Sequence, residues 1–233
     1  VKEELQHIES RHEKAQGFYL LLGGLFITAL VSCNLIANKF ITLDLGFKTF
    51  ILSAGVLPYP ITFLITDLLS EIYGRRKTNR IVIVGFVCSL FVLLILWLGH
   101  QFPAIKNSPV SQQQYAAVFQ NSWKVILSSM VAYLSAQFVD IRLYHFWKNL
   151  TNGRHLWLRN NFSTILSQLL DTTLVIAILF VGELSFGEMS GMIRDGWLFK
   201  VLCALADTVV LYILVYSVRR YFHLAPNEEL QLH

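Results

Sequence analysis

Residues 80–100 read RIVIVGFVCSLFVLLILWLGH, and between Arg80 and His100 the run holds no charged side chain. An α-helix rises about 1.5 Å per residue, so a run of this length crosses a hydrocarbon core roughly 30 Å thick. Because the run is apolar on every side, the helix is expected to face lipid. Working outward, five more blocks dominated by Leu, Ile, Val, Phe and Ala lie at 17–38, 54–74, 124–147, 161–182 and 197–218. The whole chain of 233 residues is 55% hydrophobic and 15% charged, with a mean hydropathy of +0.53, whereas a soluble domain carries about 25% charge. The expected fold class is an all-α integral membrane protein of six transmembrane helices in a single domain over 1–233. The segment 1–16 and the tail 219–233 are expected in the cytoplasm. The first sixteen residues are mostly polar and the first apolar block is too long for an h-region, so no cleavable signal peptide is expected.

Orientation follows from the excess of Lys and Arg on cytoplasmic loops. Lys2, Arg11 and Lys14 precede span one; Arg75, Arg76, Lys77 and Arg80 separate spans two and three; Lys148, Arg154 and Arg159 separate four and five; Arg219 and Arg220 follow six. These twelve cations face six on the alternate segments, Lys39, Lys48, Lys106, Lys124, Arg194 and Lys200, with Arg142 undecided inside span four. Both termini are therefore expected inside. Six spans divided three and three put the halves in opposite orientation, the arrangement of inverted-repeat transporters. The echo between LITDLLSEIYG in span two and ILSQLLDTTLVI in span five is weak, and repeat and chance both stay open. Thr42 to Leu52, with Asp44 and Gly46, alternates apolar and polar residues about a turn and is expected to form a short hairpin at the outer surface.

Carboxylates at membrane depth carry the chemistry: Asp67 and Glu71 in span two, Asp140 in four, Asp171 in five and Asp207 in six. Each costs about 2.5–3.5 kcal/mol on insertion scales, so such residues mark substrate paths, proton relays or ion sites. Asp67 and Glu71 are four residues apart and share a helical face. Gln137 with Asp140, and Gln168 with Asp171, are three apart, so each pair offers an amide and a carboxylate toward a common cavity; Asn34 and Asn38 repeat the pattern. The bland alternative is that these groups bond one another between helices, and Asp140 in particular is a candidate partner for Arg142. Pro58 and Pro60 open span two, either as an irregular stretch whose backbone lines a cavity or as a loop simply ending at a helix. Lys200 is read either as a snorkelling cation or as a buried partner of Asp171 or Asp207.

Other chemistry is not indicated. Cys33, Cys88 and Cys203 lie inside apolar blocks without ligand spacing and are expected to pack, so no metal is expected. No GxxxxGK[ST] loop or HExxH appears, no cofactor is called for, and the cations form no stripe suited to nucleic acid.

Four stretches carry a resemblance: PYPITFLITDLLSEIYGRRK at 58–77, AQFVDIRLYHFWK at 136–148, NNFSTILSQLLDTT at 160–173 and LFKVL at 198–202. In this order they resemble the bacterial queuosine-precursor transporter family, also described as vitamin-uptake-like, over about Asn34 to Tyr216; TDLLSEIYG is the most specific element. The resemblance implies a multi-pass importer in the bacterial inner membrane for 7-deazaguanines, meaning the cyano or aminomethyl intermediates or queuine, and no enzyme. It implies site roles for Asn34, Asp67, Glu71, Gln137, Asp140, Asp171 and Lys200, with Gln168 and Asp207 added from the residue reading alone. In helix count and size the chain is also similar to the substrate-binding subunits of energy-coupling-factor transporters.

The chemistry suits such a guest. A guanine-like ring offers adjacent N–H donors that a carboxylate accepts as a fork, and Phe63, Tyr59 or Trp123 offers a stacking face. The expected mechanism is alternating access around a midplane pocket, with Asp67 or Asp171 at the purine edge and Glu71 or Asp140 nearer the cytoplasmic exit; an acid that couples protons is a further option. Two rivals stay open: a binding subunit of an ATP-driven vitamin or nucleobase transporter, and an intramembrane aspartyl enzyme. Whether the chain forms a homodimer is also open.

Overall fold

The structure of the chain, a computed structural model, describes residues 2–37, 39–44, 46, 48–120, 123–225 and 228–230. Six long helices carry the six apolar blocks: α1 (Lys2–Ile36), α2 (Tyr59–Ile72), α3 (Gly74–Gln101), α5 (Trp123–Leu150), α6 (Leu156–Phe180) and α7 (Phe186–Tyr221); α4 (Gln112–Tyr115) is a short helix between α3 and α5. Helix α1 begins some fifteen residues before the apolar block, because Lys2–Gln16 contains neither Gly nor Pro and is rich in strong helix formers. Among the described residues, five stretches are long and apolar enough to cross a membrane: Arg11–Ile36, Ala54–Ile72, Gly74–Gln101, Leu156–Phe180 and Phe186–Tyr221. The fourth expected span lies on α5, which is long enough at 28 residues. The side chains of 123–126, at the start of α5, lie outside the described residues, and the five spans are those found among the described ones.

Polarity is distributed as a bilayer demands. Leu90, Phe91, Trp97, Val209, Ile213 and Tyr216 are exposed, whereas Thr62, Thr66, Asp67, Glu71, Gln137, Asp140, Arg159, Gln168 and Asp171 are buried. In water this arrangement would be inverted; in hydrocarbon, polar groups must find partners inside the bundle. Helix α3 is exposed along Ile83, Val84, Val87, Leu90, Phe91, Leu94 and Ile95, as its uniformly apolar sequence predicts. The packed centre holds Phe26 and Leu30 of α1, Phe63 and Leu69 of α2, Tyr133 and Ile141 of α5 and Leu211 of α7.

The chain is not purely helical. Phe40–Asp44 (β1) and Thr49–Ser53 (β2) pair antiparallel, with Asp44 opposite Thr49 and Phe40 opposite Ser53. At the turn, Gly46 has φ +80° and its N–H donates to Asp44 Oδ1 at 2.9 Å. Ser53 Oγ donates to the Ala37 carbonyl at 2.5 Å, and the Ala54 N–H to the Lys39 carbonyl at 2.6 Å, so the hairpin is tied to the end of α1.

Span two starts irregularly. A single 3₁₀ turn, Ala54–Val56, leads to Pro58 at the cap and Pro60 in the first turn of α2, where a missing N–H costs nothing. With 14 residues, α2 alone covers about 21 Å, less than the hydrocarbon thickness, so the 3₁₀ turn completes the crossing. At its other end Tyr73 alone separates α2 from α3, and Gly74 takes φ +76°, a conformation that suits glycine.

The 3₁₀ turn lies against α1: a side-chain carbon at Gly55 would meet the Cys33 carbonyl oxygen and Ala37. Gly55→Val is therefore expected to cost about 1–3 kcal/mol, seen as a lower thermal midpoint of the detergent-purified protein and poorer recovery from membranes.

Candidate functional site

A cavity of about 490 Å³ opens between α1, the hairpin, the 3₁₀ turn and helices α2, α3, α5, α6 and α7. That is within the usual size of a small-molecule site. Its walls are mainly apolar, with a few convergent polar groups: Asn34 from α1, Tyr59 from α2, Tyr133 from α5, Asp171 and Thr172 from α6, and Asp195 and Lys200 from α7.

The strongest interaction in it joins α6 to α7. Lys200 Nζ lies 2.5 Å from Asp171 Oδ2, their side chains 14% and 4% exposed. The same Nζ stands 4.6 Å above the Tyr59 ring, so carboxylate and aromatic face hold the ammonium jointly. Of the two readings of Lys200, the structure selects the buried partner, and Asp171 as its mate. Below them, Tyr59, Phe63 and Tyr133 meet with ring centroids 5.4–6.0 Å apart and form an aromatic floor. Asn34 Nδ2 is buried and has no protein partner among the described residues.

The hairpin forms one side of the cavity. Thr49, Phe50, Leu52 and Ser53 line the cavity, Lys48 Nζ pairs with Asp195 Oδ1 of α7 at 2.7 Å, and Phe50 packs on Phe199 at 5.4 Å. The backbone of the 3₁₀ turn contributes Gly55 and Val56. This supports the irregular, cavity-lining reading of Pro58 and Pro60.

Of the residues singled out in the sequence, Asn34, Asp171 and Lys200 share this cavity, whereas Asp67, Glu71, Gln137, Asp140, Gln168 and Asp207 do not line it. Asp67 and Asp140 are both buried in the packed interior, and Asp140 Oδ1 accepts the Ser167 hydroxyl at 2.9 Å. Arg142 is exposed and two positions off that face, so it is no partner for Asp140. Gln137 Nε2 donates to Thr66 Oγ1 at 2.5 Å. Gln168 and Asp207 flank a small crevice that also touches Tyr59, Phe63 and Lys200. Asn38 and the Trp123 side chain lie outside the described residues.

Glu71 belongs to a separate cluster at the far end of α2. Its Oε2 accepts from Arg159 Nη2 at 2.7 Å and from the Tyr144 hydroxyl at 3.1 Å, and its Oε1 accepts from Arg219 Nη2 at 2.8 Å. Lys148 Nζ lies 3.7 Å from Oε2 and 3.3 Å from Glu229 Oε1. Sequence reasoning counted Arg159, Lys148 and Arg219 as loop cations; the structure buries Arg159 to 2% exposure. Tyr133, Asp195 and the hairpin face were missed as cavity groups. For the hairpin the sequence signal was the turn chemistry at Asp44 and Gly46.

The family model described as "Putative vitamin uptake transporter" matches residues 53–214. The chain belongs to this family. A curated relative from Bacillus subtilis (strain 168), named "Probable queuosine precursor transporter", is 33% identical over 129 residues, covering 55% of this chain and 56% of that protein. The chain thus spans little more than half the length of that relative. No solved structure matches the chain, so likeness to energy-coupling-factor subunits rests on helix number and size. The chain is a multi-pass membrane protein, and the matched region contains α2, α3, α5 and α6 whole and most of α7.

A buried carboxylate without its cation is costly, about 3–5 kcal/mol when one partner is removed. Lys200→Ala and Asp171→Ala are each expected to lower stability by about that much, while the double substitution loses less than the sum. Chemical unfolding of the four proteins in one detergent gives the coupling energy; additive losses would mean that the pair contributes nothing as a pair.

Proposed function

We propose that this chain imports 7-deazaguanines, the precursors of queuosine, across the bacterial inner membrane by alternating access, and that Asn34, Tyr59, Asp171 and Lys200 form the outward-side site. The observation that carries the reading is a carboxylate and an ammonium side by side on an aromatic floor, inside a cavity large enough for a bicyclic base. The hydrogen-bonding edge of a guanine-like ring runs acceptor, donor, donor: a carbonyl oxygen, a ring N–H and an exocyclic amine. Asp171 accepts the two donors as a fork while Lys200 donates to the carbonyl, so one short ion pair reads the whole edge. Tyr59 supplies a face for the ring. The name of the Bacillus relative supports the same substrate class.

In this reading the chain crosses the bilayer six times with both ends inside, α5 being the sixth crossing. Helix α5 is 28 residues long, and its Gln137 and Asp140 are fully buried, turned into the bundle. A polar crossing is tolerated when its polar face is turned inward. An impermeant thiol reagent is expected to label Asp44→Cys in intact cells, and Arg154→Cys only after the membrane is opened. The reverse pattern would overturn the orientation.

The direct measurement uses the purified full chain. It is expected to bind 7-aminomethyl-7-deazaguanine, to take it up in liposomes without another protein, and to lose at least about tenfold in affinity on Asp171→Asn, which gives up a charge-assisted fork. Binding without uptake would favour a binding subunit that needs a separate motor. Unchanged affinity in Asp171→Asn would remove that carboxylate from the site.

A further inference from the structure

Between the cavity and the Glu71 cluster, the bundle contains three aligned stripes. Tyr59, Phe63, Asp67 and Glu71 recur along α2, Tyr133, Gln137, Asp140 and Tyr144 along α5, and Asp171, Gln168, Thr164 and Asn160 along α6. Spacings of three and four keep each set on one helical face. Each stripe begins in the cavity wall, at Tyr59, Tyr133 and Asp171. On α2 the stripe reaches Glu71 after about 18 Å of helix.

A column serving only to hold helices together would satisfy its own groups, since an unpaired polar atom in a dry interior costs free energy. This one does not. Gln168 is buried with neither its amide nitrogen nor its oxygen paired among the described residues, and Gln137 Oε1 and the Thr164 hydroxyl also lack protein partners there. The crevice beside Gln168 continues to Lys200 and Tyr59 of the cavity. At the lower end, Glu71 draws together α5 through Tyr144 and Lys148, α6 through Arg159, and α7 through Arg219. The tail closes beneath: the Leu230 N–H donates to the Ile72 carbonyl at 2.7 Å, Glu229 pairs with Lys148, and Arg219 Nη1 donates to the Ala225 carbonyl at 2.5 Å.

We propose that this column is the closed cytoplasmic half of the permeation route, with Gln137 and Gln168 as a transit site for a flat guest bearing amide-like donors and acceptors, and with the Glu71 cluster and the Glu229–Leu230 tail as the gate beneath it. The inference rests on the transport reading. Ion pairs suit a gate that reopens, because Arg219 and Glu229 already reach water, and water solvates each separated charge when α5, α6 and α7 part. The unpaired Gln168 amide and Gln137 Oε1 then meet the passing guest, to whose donors and acceptor they are suited.

The test uses the full chain with Cys33, Cys88 and Cys203 replaced by Ser and Thr164→Cys as reporter, in inside-out vesicles treated with an impermeant maleimide. Glu71→Gln and Arg219→Gln are each expected to speed labelling by at least about tenfold, since losing one ionic contact biases a two-state gate by that order. Arg219→Gln, at the edge of the cluster, carries the test if Glu71→Gln fails to fold. Labelling at the parent rate in both variants, with 7-aminomethyl-7-deazaguanine still bound, overturns the gate and leaves the transport reading standing. If the parent binds no deazaguanine, the substrate reading falls instead, and faster labelling in the variants still supports a gated route.

Discussion

Asp171 on α6 and Lys200 on α7 meet at 2.5 Å in an interior that offers little water. Neither charge could stay there alone, because the cost of stripping an ion of its hydration is recovered only by a well-placed counter-charge. That requirement fixes how α6 and α7 face each other, and it leaves both groups on the wall of a cavity in place of a filled core. Tyr59 completes the arrangement from α2 by presenting its ring to the ammonium. In the proposed function, a site for a polar edge is thereby held ready by the contact that also joins three helices.

The same rule operates at both ends of the bundle with different consequences. On the hairpin side, Lys48 and Asp195 latch β2 to α7 beside the Phe50–Phe199 contact. At the other end, three cations and the Tyr144 hydroxyl converge on Glu71. Between these two ionic closures lie first a cavity and then a tightly packed polar column. Opening one closure while the other holds is what alternating access requires, and ionic contacts near water separate at lower cost than buried apolar ones.

Much of the architecture was legible because it follows from one-dimensional patterns. Six apolar blocks became six long helices, and the alternation around Asp44 and Gly46 became the hairpin. Charged and amide side chains at depth pointed to Asn34, Asp171 and Lys200, which do share the cavity. Other features were hidden by the same simplicity. Arg159 and Arg219 looked like loop cations because positive charge beside an apolar block has the same composition whether it faces water or a buried Glu71. The set of acids was expected around one chamber, but Asp67 and Asp140 face each other in the packed column and Glu71 ends it. Spacing tells which residues share a face, not how far along the bundle that face stays open.

By itself, the sequence determined that this chain lives in a bilayer, where its long apolar helices lie along the chain, and that several acids must be answered inside it. Hydropathy and the insertion cost of a charge are local properties, carried by each residue wherever its neighbours lie. Only the tertiary structure decided which cation answers which acid, that the irregular start of span two opens into a cavity, and that the acids divide between a guest-sized space and a closed column. Those outcomes depend on helix-to-helix register, which arises from contacts between residues as far apart as Glu71 and Arg219 and has no signature in any single segment.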